Sequence, residues 1–251
     1  MLHSQSLEKS FLQDAYKQLD EVLKLDTESA ELKAMQQKLQ RWLAIFAPNF
    51  LSDICTKLMT SAEEHAEPIS TTALKQGIFK KAAPQKADDK ELGSTDGSPF
   101  FLLETLLRVL TAATDDAGTV DSPPLRSIPD DLLPFCFERV RLANPAAIRH
   151  VAAVCVGILS RAHLTRTVEM FVSNLGPKSL SGDRDQREYV AIQRAAGQLE
   201  LSVHSAEQAA ASVHYLRALA GALPQMTRGV LRSEVCSTLA VMLERLMQPA
   251  P

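Results

Sequence analysis

Glycine is scarce in this chain, at 10 of 251 residues, and aromatic residues make up only 5%. With β-branched alternation almost absent as well, a fold built on strands and tight turns is excluded. No run of 18 apolar residues occurs, which rules out a transmembrane helix. The opening residues 1–5 lead straight into charged positions without an apolar segment, so no signal peptide is expected. The 4 cysteines (Cys55, Cys136, Cys155 and Cys236) form no C-x-x-C pair and lie far apart in sequence. That usage fits a reducing, cytoplasmic setting in which each thiol acts as a small apolar group. A basic excess is missing too. The formal net charge of −3 argues against a nucleic-acid partner.

What is present is helical spacing over most of the chain. Leu7, Phe11, Ala15, Leu19 and Val22 form a first apolar stripe, and Leu32, Met35, Leu39, Leu43 and Phe46 a second. Pro48 is expected to stop that second helix, and Leu51, Ile54, Cys55, Leu58 and Met59 begin a third. Residues 66–99 then carry five lysines, five acids and three prolines with few large apolar side chains. Such a segment buries too little surface to offset its ordering entropy, so it is predicted to be a mobile linker. Eleven of the lysines precede residue 99 and fourteen of the arginines follow it, a switch that supports a boundary there.

Helices resume at Phe100–Ala113. Asp130 or Asp131 is expected to cap the next one, with Pro134 in its first turn. Asn144-Pro145 predicts an N-cap and first helical residue, opening a helix with Ile148, Val151, Cys155 and Ile158 on one face. Leu164, Val168, Phe171, Val172 and Leu175 mark another, ended by Gly176-Pro177. Ser205-Ala206-Glu207-Gln208 has capping-box form, ahead of a stripe through Ala209, Val213, Leu216, Ala220 and Leu223. The last helix carries Leu231, Val235, Leu239, Leu243 and Leu246, with Met242 expected on its uncovered side. The fold class is therefore all-α: antiparallel helix pairs stacked as a short HEAT/armadillo-like solenoid, with a closed bundle as the alternative. Three regions follow, 1–65 as N-terminal helical hairpins, 66–99 as linker or loop, and 100–251 as helical repeats. The final helix has an apolar surface wider than one neighbour can cover, so further repeats of a longer chain are expected.

Signs of chemistry are sparse. Phosphate-cradling, dinucleotide, nucleophile-elbow and H-E-x-x-H motifs are all missing. His150, Cys155 and His163 are spaced by five and eight residues, and His204 and His214 by ten, which does not set two metal ligands one helical turn apart. Core and surface roles are preferred for all of them. The carboxylate pairs Asp115-Asp116, Asp130-Asp131 and Glu63-Glu64 sit at a loop, a helix start and a fraying helix end. Trp42, Phe46 and Phe50 read as core packing rather than an exposed ridge. Arg228, Arg232 and Arg245 read as a solvated face, since Glu234 and Glu244 are interspersed. Catalytic, cofactor-binding and metal-binding residues are accordingly expected to be none.

The order of residue types in several segments resembles the Furry, or cell morphogenesis protein, family. Ile148 to Leu175 reads IRHVAAVCVGILSRAHLTRTVEMFVSNL, similar to the family's helix ending in V-I-G-V-L-A followed by one ending in F-x-x-E-L. LELSVHSAEQAAASVHYLRALAGAL resembles its helix of the form E-A-S-x-x-F-L-x-x-x-A, and GVLRSEVCSTLAVMLERLMQPA its H-A-L-A-G-L-F-V-E-I-L helix. ELKAMQQKLQRWLAIFAPNFLSDICTKLM is similar to an early helix pair around C-L-P-S-I-L-R-T-L-F. The resemblance runs from about Glu28 to Pro251 and implies the N-terminal part of a large helical scaffold. It implies NDR-family kinases and MOB co-activators as partners, acting in cell morphogenesis and polarised growth at the cell cortex. No catalytic residue is carried over. A generic adaptor in trafficking or nuclear transport, or a regulatory subunit of an enzyme complex, remains the alternative.

The linker reading predicts a simple proteolysis outcome. Limited trypsin treatment should cut first between Lys75 and Lys90, and resistance of that stretch would exclude a mobile linker.

Overall fold

A computed structural model describes residues 2–25, 29–65, 98–115, 125, 127–175, 182–199, 201, 205–227 and 229–247. Every regular element among them is helical, in agreement with the all-α reading. The helices are α1 (Leu2–Leu23), α2 (Ala30–Glu64), α3 (Ser98–Asp115), α4 (Leu132–Val140) and α5 (Ala146–Ser160). They continue with α6 (Leu164–Leu175), α7 (Asp183–Ala196), α8 (Ala206–Ala222) and α9 (Gly229–Met247), with a 3-10 turn Leu223–Gln225 between the last two. The 66–99 linker lies outside the described residues except for Ser98 and Pro99, which already belong to the first turn of α3. The loop through Pro123-Pro124 and the Gly176-Pro177 stop also lie outside them.

Helix α1 packs on α2, α2 on α3, and α3 on α5. Helix α5 then contacts α4, α6 and α7 as well, while α6 packs on α8 and α7 on α9. The central place of α5 follows from its sequence. From Val151 to Ser160 every residue is buried or half-buried, so this helix has no solvent face in that stretch. A helix apolar on all sides must be enclosed, and four neighbours enclose this one. Gly157 marks the tightest approach: a Cβ placed there would meet the Gln198 carbonyl oxygen at 2.8 Å. Only glycine lets the segment after α7 come so near.

Aromatic contacts stitch the layers beyond α5. Phe137 of α4 stands edge-on to Phe171 of α6 at 5.0 Å, and Phe171 edge-on to Tyr215 of α8 at 6.5 Å. Arrangements of this kind add about 0.5–1.5 kcal/mol per pair beyond simple burial. Polar side chains tie the seams. Lys57 of α2 reaches Asp20 of α1 at 2.6 Å, and buried Gln40 of α2 donates to Glu104 of α3 at 3.2 Å. Glu188 of α7 accepts the Leu142 amide at 2.8 Å, fixing the α4–α5 corner, and Gln186 donates to Thr227 at 2.7 Å.

Several local expectations need correction. Pro48 does not end α2. The helix passes through it and kinks at Phe50, where φ −133° and ψ 28° leave the helical region. Leu43 and Ala47 before the kink and Leu51 and Ile54 after it are buried in the same core, and this shared packing keeps the two halves together. Asn144 is not the N-cap of α5. Pro145 occupies that position, and the Asn144 amide instead donates to the Glu138 carbonyl at 3.0 Å, closing the end of α4. Asp131 does sit at the N-cap of α4, but its side chain makes no capping bond. Ser205 caps α8 as expected, accepting the Gln208 amide at 3.1 Å.

Two stripes are rotated from their predicted positions. In α8 the buried side chains are Ala211, Ser212, Tyr215, Leu219 and Ala222, whereas Val213 and Ala220 are exposed. Burying the one large aromatic ring, Tyr215, turns that helix away from its predicted face. In α9 the buried residues are Val235 and Met242, while Leu243 is exposed and Leu239 half-buried. Met242 is thus a core residue and not on the uncovered side. Much of α9 does stay uncovered, including Val230, Val241 and Met247. At the other end Leu7 and Phe11 of the first stripe are exposed, and only Ala15, Leu19 and Val22 are buried.

These positions predict unequal costs on α9. Met242→Ala should lower the unfolding free energy by about 2–5 kcal/mol as a core truncation. Leu243→Ala, on the exposed side, should stay within about 0.5 kcal/mol. Urea unfolding of the two variants decides the matter, and equal losses would contradict this orientation of the helix.

Candidate functional site

Three cysteines that are scattered in sequence meet in the core. Cys55 of α2, Cys136 of α4 and Cys155 of α5 are all buried, and the Cys136 and Cys155 thiols hydrogen-bond. That bond, with burial and the nearby thiols of Cys136 and Cys55, holds Cys155 protonated well above the ordinary thiol range. Burial, and then the proximity of Cys136, does the same for Cys55. A thiol held protonated is not a nucleophile, and among the described residues these sulfurs belong to no group placed to hold a metal ion, so the cluster reads as packing. Cys236 differs in being exposed on α9.

The histidines are not brought together. His150 is exposed on α5, whereas half-buried His163 places Nε2 2.9 Å from the Leu125 carbonyl oxygen. His214 is exposed on α8, and His204 lies outside the described residues. Among the described residues, no group of three His, Cys, Asp or Glu side chains is placed to hold a metal ion. The carboxylate pairs are surface features. Asp130 pairs with Arg166 at 3.2 Å, Asp131 is exposed, and Glu63 and Glu64 are exposed at the end of α2. Asp116 and the Asp115 side chain lie outside the description. Trp42, Phe46 and Phe50 are half-buried against the core, with the two phenylalanine rings edge-on at 6.5 Å. Of the arginines expected on a solvated face, Arg232 is exposed, while Arg228 and the Arg245 side chain fall outside the described residues.

A broad concave feature lies elsewhere, and sequence reasoning missed it. Helix α7 forms the floor of a cleft of about 890 Å³, with α5 along one wall and α9 along the other. From α5 it receives Ala146, Arg149, His150 and Ala153, and from α7 Arg187, Ala191 and Arg194, with Gln198 from the segment just after that helix. Spacings of three and four residues place each set on a single helical face. From α9 come Gly229, Val230, Leu231 and Glu234.

Arg187 and Arg194 rise from the floor between small side chains, and Arg149 and His150 stand on the α5 wall. Among the described residues of the lining Glu234 is the one carboxylate, and it is engaged by Arg194 through two hydrogen bonds, one of them Nη2 to Oε2 at 2.9 Å. This contact raises the Arg194 pKa further, so the guanidinium stays charged. Arg149 anchors to the Asn144 carbonyl by one of its five N–H groups, at 2.8 Å. The described lining thus carries three arginines, one of them taken up by Glu234. The signal that could have exposed it is the seven-residue spacing of Arg187 and Arg194, which repeats one face of α7 over two turns. Such a spacing gains meaning only once α5 and α9 are known to flank it.

No protein-family model matches the chain, and neither a curated protein nor a solved structure matches it. Functional argument therefore starts from the surface itself.

The buried thiols give a prediction with a definite sign. A folded-state pKa raised above the unfolded value stabilises below the unfolded value, near 8.5 for a thiol, and that stability is lost as pH rises beyond it. Stability should thus fall above about pH 8.5, by up to about 1.4 kcal/mol per pH unit for each of Cys55 and Cys155. Thiol titration of the native chain should find Cys236 at once and the other three only in denaturant. Rapid labelling of Cys136 or Cys155 would refute the packing role.

Proposed function

We propose that this chain is a non-catalytic helical scaffold that binds protein partners along the faces of its packed helices. The observation that carries this reading is the kind of surface the helices leave. The broad cleft on α7 presents arginines and small side chains along helical faces, without a nucleophile held by a base. Reactive chemistry needs such groups to converge on a point, whereas partner binding needs an extended, shaped and charged face. The uncovered apolar residues of α9 and α1 add area of the sort interfaces use.

The finer reading is that the packed pairs follow a HEAT/armadillo-like solenoid, because each helix meets mainly its near neighbours in the chain. The resemblance to the Furry family extends this to a role in cell morphogenesis and polarised growth, with NDR-family kinases and MOB co-activators as partners. It also places the chain in the cytoplasm, at the cell cortex or sites of growth. The identity of these partners rests on the resemblance alone.

Proximity labelling from the full chain in its own cells is the test. Enrichment of an NDR-family kinase together with a MOB protein is the expected result. Recovery of coat or nuclear-transport components instead would move the chain among generic adaptors. A turnover activity that His150→Ala abolishes would overturn the scaffold reading altogether.

A further inference from the structure

We propose that α9 carries a self-recognition surface, along which two copies of this chain pair as an antiparallel dimer. The surface is separate from the cleft and does not depend on the scaffold reading.

Position and composition define it. Gly229, Ser233, Cys236, Ala240, Leu243 and Met247 follow one another at intervals of three and four residues, so they share one side of α9. At about 100° per residue, that side is turned about a third of a revolution from Val235 and Met242, the buried residues that seat the helix. All six are exposed, Leu243 at 47% and Met247 at 74%. None of them is charged. The alternation of three and four is the repeat by which two helices interlock side by side.

The occupant follows from the order of sizes along this strip. Its first four members are small, and its last two are large. A parallel pairing sets large against large at one end and leaves small against small at the other. An antiparallel pairing, centred between Cys236 and Ala240, evens the layers. Met247 then lies against Gly229 of the second copy, Leu243 against Ser233, and Cys236 against Ala240. The space before Gly229 is open, since a Cβ built there meets nothing within 4 Å. A flexible methionine side chain can fill it. Any other partner helix needs this order of sizes reversed, and a second copy turned end for end supplies it.

Charge and area agree. Each exposed Arg232 comes level with the exposed Glu244 of the second copy rather than with a like charge. The helix has 19 residues and is about 28 Å long. Two such helices side by side cover on the order of 1,000 Å² in all, at the low end of specific interfaces, so the dimer is a weak one.

Sedimentation equilibrium of the full chain tests the proposal. From about 5 to about 500 μM the mean mass should climb from 27.5 kDa and level off at twice that value. Leu243→Glu, checked for an unchanged helical spectrum, should raise the dimer dissociation constant at least about 10-fold. Adding Ser233→Lys should recover most of that loss, because the antiparallel pairing sets position 233 of one copy against 243 of the other. In a parallel pair the same double variant opposes like charges and recovers nothing.

A mass that stays at the monomer value across this range would overturn the dimer, as would one that climbs past it without levelling. Association that Leu243→Glu leaves unchanged, or a double variant no better than the single one, would do the same. Should the chain stay monomeric yet sediment with phosphatidylcholine vesicles through Leu243, the strip belongs to a lipid surface instead.

Discussion

Helix α5 has no polar face along its last ten residues, and much of the architecture follows from the need to enclose it. Sealing such a helix takes neighbours on every side, and α3, α4, α6 and α7 supply them. Each neighbour arrives with its own stripe only partly used, so each needs a further helix behind it. Helix α3 is backed by α2, α6 by α8, and α7 by α9. The layered arrangement is thus the outward propagation of one unsatisfied surface. It ends where a helix is polar enough to face water, and it ends incompletely at α1 and α9, which keep large apolar side chains exposed.

The density around α5 also sets the state of the polar groups in the core. Thiols from three helices meet there because cysteine is small and tolerates complete burial. Enclosure suppresses the ionised form that reactivity would require. Buried hydroxyls follow the same logic. Thr105, Ser160, Thr167 and Ser212 each donate back to a carbonyl of their own helix or its preceding turn, three or four residues earlier. Their polarity is spent locally, whereas the buried hydroxyls of Tyr189 and Tyr215 have no hydrogen-bond partner among the described residues. Ion pairs also bridge seams between helices, as at Asp20–Lys57 and Arg194–Glu234, where they fix register more than they stabilise.

Much of this was legible in the sequence, and the failures are instructive. The three-to-four spacing of apolar residues located most of the helices, because that periodicity is set by helix geometry alone, but it passed over α7, whose stretch is rich in charged and amide side chains. It did not fix which face of a marginal stripe is buried. In α8 and α9 apolar residues occur nearly all round, so neighbours decide: Tyr215 and Val235 turn inward, and Val213 and Leu243 are left outside. Local capping rules likewise found Ser205 but misplaced Asn144, whose amide is recruited by the preceding helix. The thiol cluster and the arginine cleft were invisible for a deeper reason. Each assembles residues from three helices, and their meeting depends on how those helices are packed around α5, which no spacing within one helix records.

The same packing makes the cleft adjustable. One wall is α9, in which only Val235 and Met242 are buried among the described side chains. Besides these it is tied to α7 through Glu234 and Arg194, an ion pair whose arginine is largely exposed. A helix with so few buried contacts opens at lower free energy than the core helices behind it. The wall opposite, α5, is by contrast locked on all sides. A ligand lying between a fixed wall and a loosely held one covers apolar surface on both, and it strengthens the attachment of the looser. By mass action, whatever binds the closed arrangement stabilises it. The exposed apolar side of α9 and the incomplete anchoring of that helix are therefore one property seen twice: among the described residues too few neighbours lie against it.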